Sequence, residues 1–202
     1  MNLGDNFICE GLANRITPFT TNVPWRKSID TEKMYNNLMY RYKYGGLETP
    51  GLYIDETVKS MCQTHRRLFG QLALQLIQEG QRSKATKVLA KAEKVIPEYN
   101  LPYNWRDGSM DIAKAYILLG KFAKAKNILQ KLWTNNEQYL NFYLSLNDDL
   151  FFSSQSNCML YLQLMMEINE ITKLYDKTLS VKQAKEMNSL FRRYTSRGGR
   201  TQ

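Results

Sequence analysis

An all-α fold of antiparallel helical hairpins is predicted for this chain by three observations. One segment is written twice. Gly80-Gln81-Arg82-Ser83-Lys84-Ala85 leads to Leu89, Ala92 and Pro97, and Gly120-Lys121-Phe122-Ala123-Lys124-Ala125 leads to Leu129 and Leu132, the glycines standing 40 residues apart. Upstream of each glycine, apolar residues recur at helical spacing: Phe69, Leu72, Ala73 and Leu76 in the first copy, Ile112, Ala113 and Tyr116 in the second. Between them, a glycine reverses the chain at no steric cost, and an alanine five residues on lets the second helix approach the first closely. Such repeats are scaffolds whose partners vary freely, so the repeat names no chemistry.

The series Gly80, Ala85, Leu89, Ala92, Pro97 resembles the tetratricopeptide pattern of turn glycine, small residue, large apolar residue, small residue and closing proline. The expectation is a tetratricopeptide-like domain over residues 31–195, its hairpins forming a short right-handed superhelix. An extended N-terminal arm (residues 1–30) precedes it and a disordered basic tail (residues 196–202) follows. Two departures stand out. The period is 40 where a tetratricopeptide unit has roughly 34, and Glu137 occupies the place of Pro97.

Along the chain, Pro18, Pro24 and a Thr20-Thr21-Asn22 turn surround short apolar pieces, which suits an extended arm with one short strand. The arm begins abruptly, as though cut from something longer. Thr31–Tyr44 reads as a helix with Met34, Leu38 and Tyr42 on one side and Asp30 as N-cap, ended by Gly45-Gly46. A Thr49-Pro50-Gly51 turn follows. Asp55 then opens a long helix whose apolar stripe is Val58, Met61, Cys62, His65, Leu68, Phe69, Leu72 and Leu76, and residues 81–96 complete the first hairpin. The helices of the second run over residues 109–119 and 121–144. Asn147-Asp148-Asp149 breaks the pattern, its aspartates serving as a helix cap. A helix over residues 154–175 comes next, and Ser180 with Gln183 reads as a capping box for the last helix, which ends near Tyr194.

The chain of 202 residues, 43% hydrophobic and 23% charged, has the composition of a globular domain with a real core. Its longest apolar run, Cys158 to Met166, falls far short of the roughly 20 residues that span a bilayer, and no leader-type apolar segment follows a basic start. The net charge of +9 invites nucleic acid or an anionic membrane surface, yet no nucleic-acid motif accompanies it, and a solvated basic surface is the plainer reading. Three cysteines (Cys9, Cys62 and Cys158), widely spaced and without a CxxC, give no support to a zinc site or a disulfide framework. No metal and no cofactor is implied.

Few residues invite chemistry. His65 is the only histidine, but it lies on an apolar stripe without a triad partner, which favours a hydrogen-bonded packing role over a hydrolase base. Lys84, Lys87, Lys91 and Lys94 share one helix face, a ridge able to meet lipid phosphate or nucleic acid, though such a face is ordinarily just solvated. Tyr99, Tyr103 and Trp105 crowd one loop, where they either stack a sugar or base or fill the gap between repeats. No glycine-rich phosphate loop, HExxH or nucleophile elbow occurs.

Several strings occur together in order: Gly11-Leu12-Ala13-Asn14-Arg15-Ile16-Thr17-Pro18, Thr31-Glu32-Lys33-Met34-Tyr35, Tyr44-Gly45-Gly46, and Pro50-Gly51-Leu52-Tyr53-Ile54-Asp55-Glu56. Then come His65-Arg66-Arg67, Pro97-Glu98-Tyr99-Asn100-Leu101-Pro102-Tyr103, and Gly108-Ser109-Met110-Asp111. From Gly11 to Tyr194 the series resembles the C-terminal soluble region of a bacterial family of multi-spanning membrane proteins. That family is known as domain of unknown function 2723 and is similar to protein O-mannosyltransferases. The resemblance implies a membrane-anchored parent transferring sugar from a lipid-linked donor, with this region on the periplasmic face. The catalytic base of such enzymes lies in a spanning half that no position here matches, so no catalytic residue carries over. This region would then be a non-catalytic accessory domain binding acceptor polypeptide or a partner subunit. A reading of a different class is a free-standing basic adaptor that binds nucleic acid or anionic lipid through the Lys84/Lys87/Lys91/Lys94 ridge.

Overall fold

Helical periodicity in the sequence becomes helix throughout the computed structural model, which describes residues 6–19 and 28–199. Among these residues three short strands, β1 (Phe7–Cys9), β2 (Asn14–Ile16) and β3 (Ser28–Ile29), precede α1 (Thr31–Asn36) and a π-helical turn (Asn37–Arg41). Then follow α2 (Glu56–Gln78), α3 (Arg82–Val95), α4 (Ser109–Leu118), α5 (Phe122–Ser145), α6 (Asp148–Ser153), α7 (Gln155–Lys173) and α8 (Lys177–Ser196). The fold is all-α in character, as the pattern predicts. The chain divides into two compact units, residues 1–120 and 121–202, so the two arms of the second predicted hairpin belong to different units. The expected turn at Thr20-Thr21-Asn22, and Pro24, lie outside the described residues.

In the first unit the N-terminal arm is a small sheet of order β2-β1-β3, with β1 antiparallel to β2 and parallel to β3, where a single strand was expected. It is fastened to α1 by polar contacts. Glu10 Oε1 accepts from Arg15 Nε at 2.6 Å and Lys33 Nζ at 2.9 Å, and the Glu10 carbonyl accepts from Asn37 Nδ2 at 2.7 Å. Those two hydrogen bonds, from Arg15 and then Lys33, hold the Glu10 carboxyl below the usual carboxylate range. Asp30 caps α1 as the sequence predicts, accepting from the Lys33 amide. The expected single helix to Tyr44 instead widens to π geometry at Asn37, whose carbonyl accepts from the Tyr42 amide at 2.9 Å.

Asp55 caps α2 through the Val58 amide at 2.9 Å. The apolar stripe of α2 begins one turn later than its sequence suggests. Val58 and Met61 are exposed, and burial starts at Cys62 and continues through Leu68, Phe69, Leu72, Ala73 and Leu76. Gly80, in a left-handed conformation, closes α2 with a Schellman pair: its amide donates to the Ile77 carbonyl and that of Gln81 to Leu76. This turn lets α3 fold back so that Ala85, Val88, Leu89 and Ala92 pack on α2. Phe69, Leu72 and Leu89 are fully buried, each contributing on the order of 1.5–3 kcal/mol of transfer free energy. α4 also packs on α2, and Tyr116 on α4 donates its hydroxyl to the Glu93 carboxylate on α3.

In the second unit α5 packs on α7, and α8 packs on both. Their shared core holds Leu129, Leu132, Leu140, Cys158, Leu162, Met165, Ile168, Leu190 and Tyr194. Three local expectations are corrected here. The last helix starts before Ser180 and is capped by Asp176, which accepts from the Leu179 amide at 3.0 Å. Ser180 and Gln183 are therefore interior positions, both buried, and the Ser180 hydroxyl donates to Asn169 Oδ1 on α7 at 2.8 Å. The amides that need a cap belong to the first turn, and Asp176 serves them there, so a serine inside the helix has no cap to make. Second, the cap of α6 is Asn147, not Asp148 or Asp149, which sit in its first turn. Third, Arg197 is no part of a loose tail. Its guanidinium donates to the Leu144 carbonyl at 2.8 Å and to Asp148 Oδ1 at 2.7 Å, and lies 4.3 Å from the Phe151 ring centroid. Arg200, Thr201 and Gln202 lie outside the described residues.

Candidate functional site

The most concentrated polar chemistry in the first unit is buried and joins α2 to the loop between α3 and α4. Arg66 occupies the core face of α2, one turn past Cys62, and only 1% of it is exposed; Asp107 is fully buried. A buried charge is costly unless paired and hydrogen-bonded. Here the guanidinium meets a carboxylate and two carbonyls. Arg66 Nη1 donates to Asp107 Oδ2, and Nη2 donates to the carbonyls of Ile96 at 3.1 Å and Leu101 at 2.6 Å. The guanidinium also stands 5.1 Å from the Tyr103 ring centroid. Asp107 has no spare acceptor capacity. Its Oδ1 takes the amide and hydroxyl of Ser109, and its Oδ2 also takes the Asn104 amide at 3.3 Å.

Glycine makes this approach possible. A Cβ on Gly108 would stand 2.5 Å from the Arg67 Cα, and one on Gly70 would meet the Gly108 carbonyl at 3.2 Å. The loop is pinned a second time by Asn100, whose Nδ2 donates to the carbonyls of Leu47 at 2.7 Å and Thr49 at 2.6 Å, and by the Tyr99 hydroxyl on the Glu48 carbonyl. The arrangement is a latch: Arg66 spends Nη1 on the carboxylate and Nη2 on two loop carbonyls, and Asp107 accepts from Arg66 and from its own loop.

The aromatic residues singled out from sequence are each engaged within the chain. Tyr103 is half-buried beneath Arg66, Trp105 is half-buried with the Arg106 guanidinium 4.8 Å from its ring centroid, and Tyr99 is 58% exposed while its hydroxyl pins the loop. The lysine ridge divides. Lys84 and Lys91 lean over tyrosine rings, 5.5 Å from Tyr35 and 5.8 Å from Tyr44, whereas Lys87 and Lys94 are exposed. Among the described residues no group of three His, Cys, Asp or Glu side chains gathers as a metal cluster, and no helix is long and apolar enough to cross a membrane.

His65 sits half-buried between the ring edges of Tyr42 and Tyr44, at centroid distances of 5.7 and 5.4 Å. The expected hydrogen bond is missing at Nδ1, a buried atom with no partner. Burial pushes the His65 pKa down, since a charged imidazolium is disfavoured there. A folded-state pKa below the unfolded one makes stability fully present above about pH 6.5 and lost as pH falls toward the folded value. The urea midpoint is therefore expected to decline from about pH 7.5 to about pH 5.5. His65→Phe, which keeps the aromatic packing, should remove that part of the decline; an unchanged slope would assign it to other groups.

Sequence reasoning missed Arg66 and Asp107 as a pair, although a signal for half of it exists: Cys62, Arg66, Phe69 and Ala73 share one helical stripe. Comparison of the chain with known protein families, curated proteins and solved structures finds no match.

Proposed function

We propose that this chain is a non-catalytic helical interaction domain of a membrane glycosyltransferase similar to protein O-mannosyltransferases, presenting the loop over residues 97–108 to an acceptor polypeptide or a partner subunit. The observation that carries the non-catalytic reading is the buried Arg66–Asp107 latch, because the two charges bond each other and the loop they hold. The membrane parent is supported by the ordered strings alone. Several of them supply the latch and its pins: Arg66 from His65-Arg66-Arg67, Tyr99 and Asn100 from Pro97–Tyr103, and Ser109 from Gly108–Asp111. A set of residues devoted to fixing one loop suits a domain that works by displaying it.

The test is fractionation of cells producing the native gene product, probed with an antibody raised against these residues. The expected signal stays in the membrane pellet after alkaline carbonate washing, at a mass well above 23.6 kDa. A freely soluble product of 23.6 kDa would overturn the membrane parentage. For the loop, Tyr99→Ala leaves the latch intact and is expected to weaken capture of the partner identified by crosslinking through that loop, with thermal stability nearly unchanged. Undiminished capture would assign binding to another surface.

A further inference from the structure

Along the outer side of α8, Lys185, Asn188, Ser189, Arg192, Arg193 and Ser196 line an open recess of about 560 Å³. These residues recur at helical spacing on the stripe opposite the buried Leu190 and Tyr194, so they follow from the amphipathic pattern of the helix. Their charge does not follow from it. The lining carries three cations and no carboxylate. Glu186, the one acid in α8, is engaged by Lys182 at 3.7 Å. Among the described residues no acidic group pairs with Lys185 or Arg192. Arg193 Nη1 donates to Asn141 Oδ1 on α5 at 2.7 Å, a neutral acceptor that orients the guanidinium without neutralising it.

Like charges one or two turns apart on a helix repel, and a surface selected only for solubility usually intersperses acids among them. Two guanidinium forks, an ammonium, a hydroxyl and an amide form a donor set suited to a multiply charged tetrahedral oxyanion. The recess has a volume in the range of small-molecule sites. We propose that it binds a phosphate- or diphosphate-bearing ligand of small-molecule size, with Lys185 and Arg192 countering the charge, Arg193 held in position by Asn141, and Ser189 and Asn188 as neutral donors. Either a soluble phosphate compound or a phospholipid headgroup would present this chemistry. The inference is independent of the loop-display reading above.

The test uses the full chain at low ionic strength. Inorganic pyrophosphate is titrated calorimetrically, and sedimentation is followed with vesicles of phosphatidylcholine alone or mixed with phosphatidic acid. Binding is expected to fall at least tenfold in Lys185→Gln/Arg192→Gln, both exposed positions, and to be unaffected by Lys87→Gln/Lys94→Gln, which removes equal charge from α3. Vesicle capture that requires phosphatidic acid and is lost in the α8 variant assigns a headgroup. Pyrophosphate binding without vesicle capture assigns a soluble ligand. Absence of binding to either probe, or equal losses in the two double variants, overturns the proposal.

Discussion

Asp107→Ala is expected to destabilise the first unit by about 3–5 kcal/mol, enough to shift a urea midpoint by more than 1 M. The reason is the charge left behind. Arg66 is 1% exposed and is held from three directions, so it cannot swing into solvent when its carboxylate partner is removed. Ser109 loses its acceptor in the same step, and the Asn104 amide loses one too, each exposed to the penalty of an unsatisfied donor. Arg66→Met together with Asp107→Leu should recover only part of the loss. An apolar pair removes the unpaired charge, but the buried carbonyls of Ile96 and Leu101 then lack the donor that Arg66 supplied, at roughly 1–3 kcal/mol for each orphaned group. A cost below about 1 kcal/mol for Asp107→Ala would show that water reaches the pair and that the latch is no core element.

Gly108→Ala is the second large effect, at about 2–5 kcal/mol. The left-handed backbone at φ 76° costs an L residue about 1–2 kcal/mol, and the added methyl would meet the Arg67 Cα at 2.5 Å, an overpacking worth about 1–3 kcal/mol more. The obstructing atom is helix backbone, so relief requires α2 and the start of α4 to separate. Gly80→Ala supplies the control. Gly80 has nearly the same φ, 75°, but nothing lies within 4 Å of the position its Cβ would take, so its cost should stay near 1–2 kcal/mol. Equal losses at the two positions would mean that conformation alone decides both and that the close approach at Arg67 is relieved elsewhere.

Features set by nearest neighbours along the chain were legible from sequence. Asp30 and Asp55 cap their helices because a short acidic side chain reaches an amide three residues on. Gly80 and Gly120 end theirs because a left-handed residue was needed there. Partnerships across space were not legible. Ser180 and Gln183 have the spacing of a capping box, but Asn169 on another helix claims the serine hydroxyl and Asp176 caps four residues earlier. The latch joins residues 41 apart, and nothing in a loop rich in Tyr and Pro distinguishes Asp107 from a solvated aspartate. Arg66 was the more readable half. An arginine in line with Cys62, Phe69 and Ala73 must either unwind the stripe or bring its counter-charge inside with it.

The three cysteines have a practical consequence. All are free and buried, Cys9 and Cys62 in the first unit and Cys158 in the second, and burial pushes the thiols of Cys62 and Cys158 up, away from the reactive thiolate. A thiol-specific dye added to the native protein would therefore wait for an opening event before it could react. Cys62 and Cys158 become built-in clocks, one in each unit. Mass spectrometry of the labelled peptides would time the breathing of the two separately, with no mutation introduced to observe it.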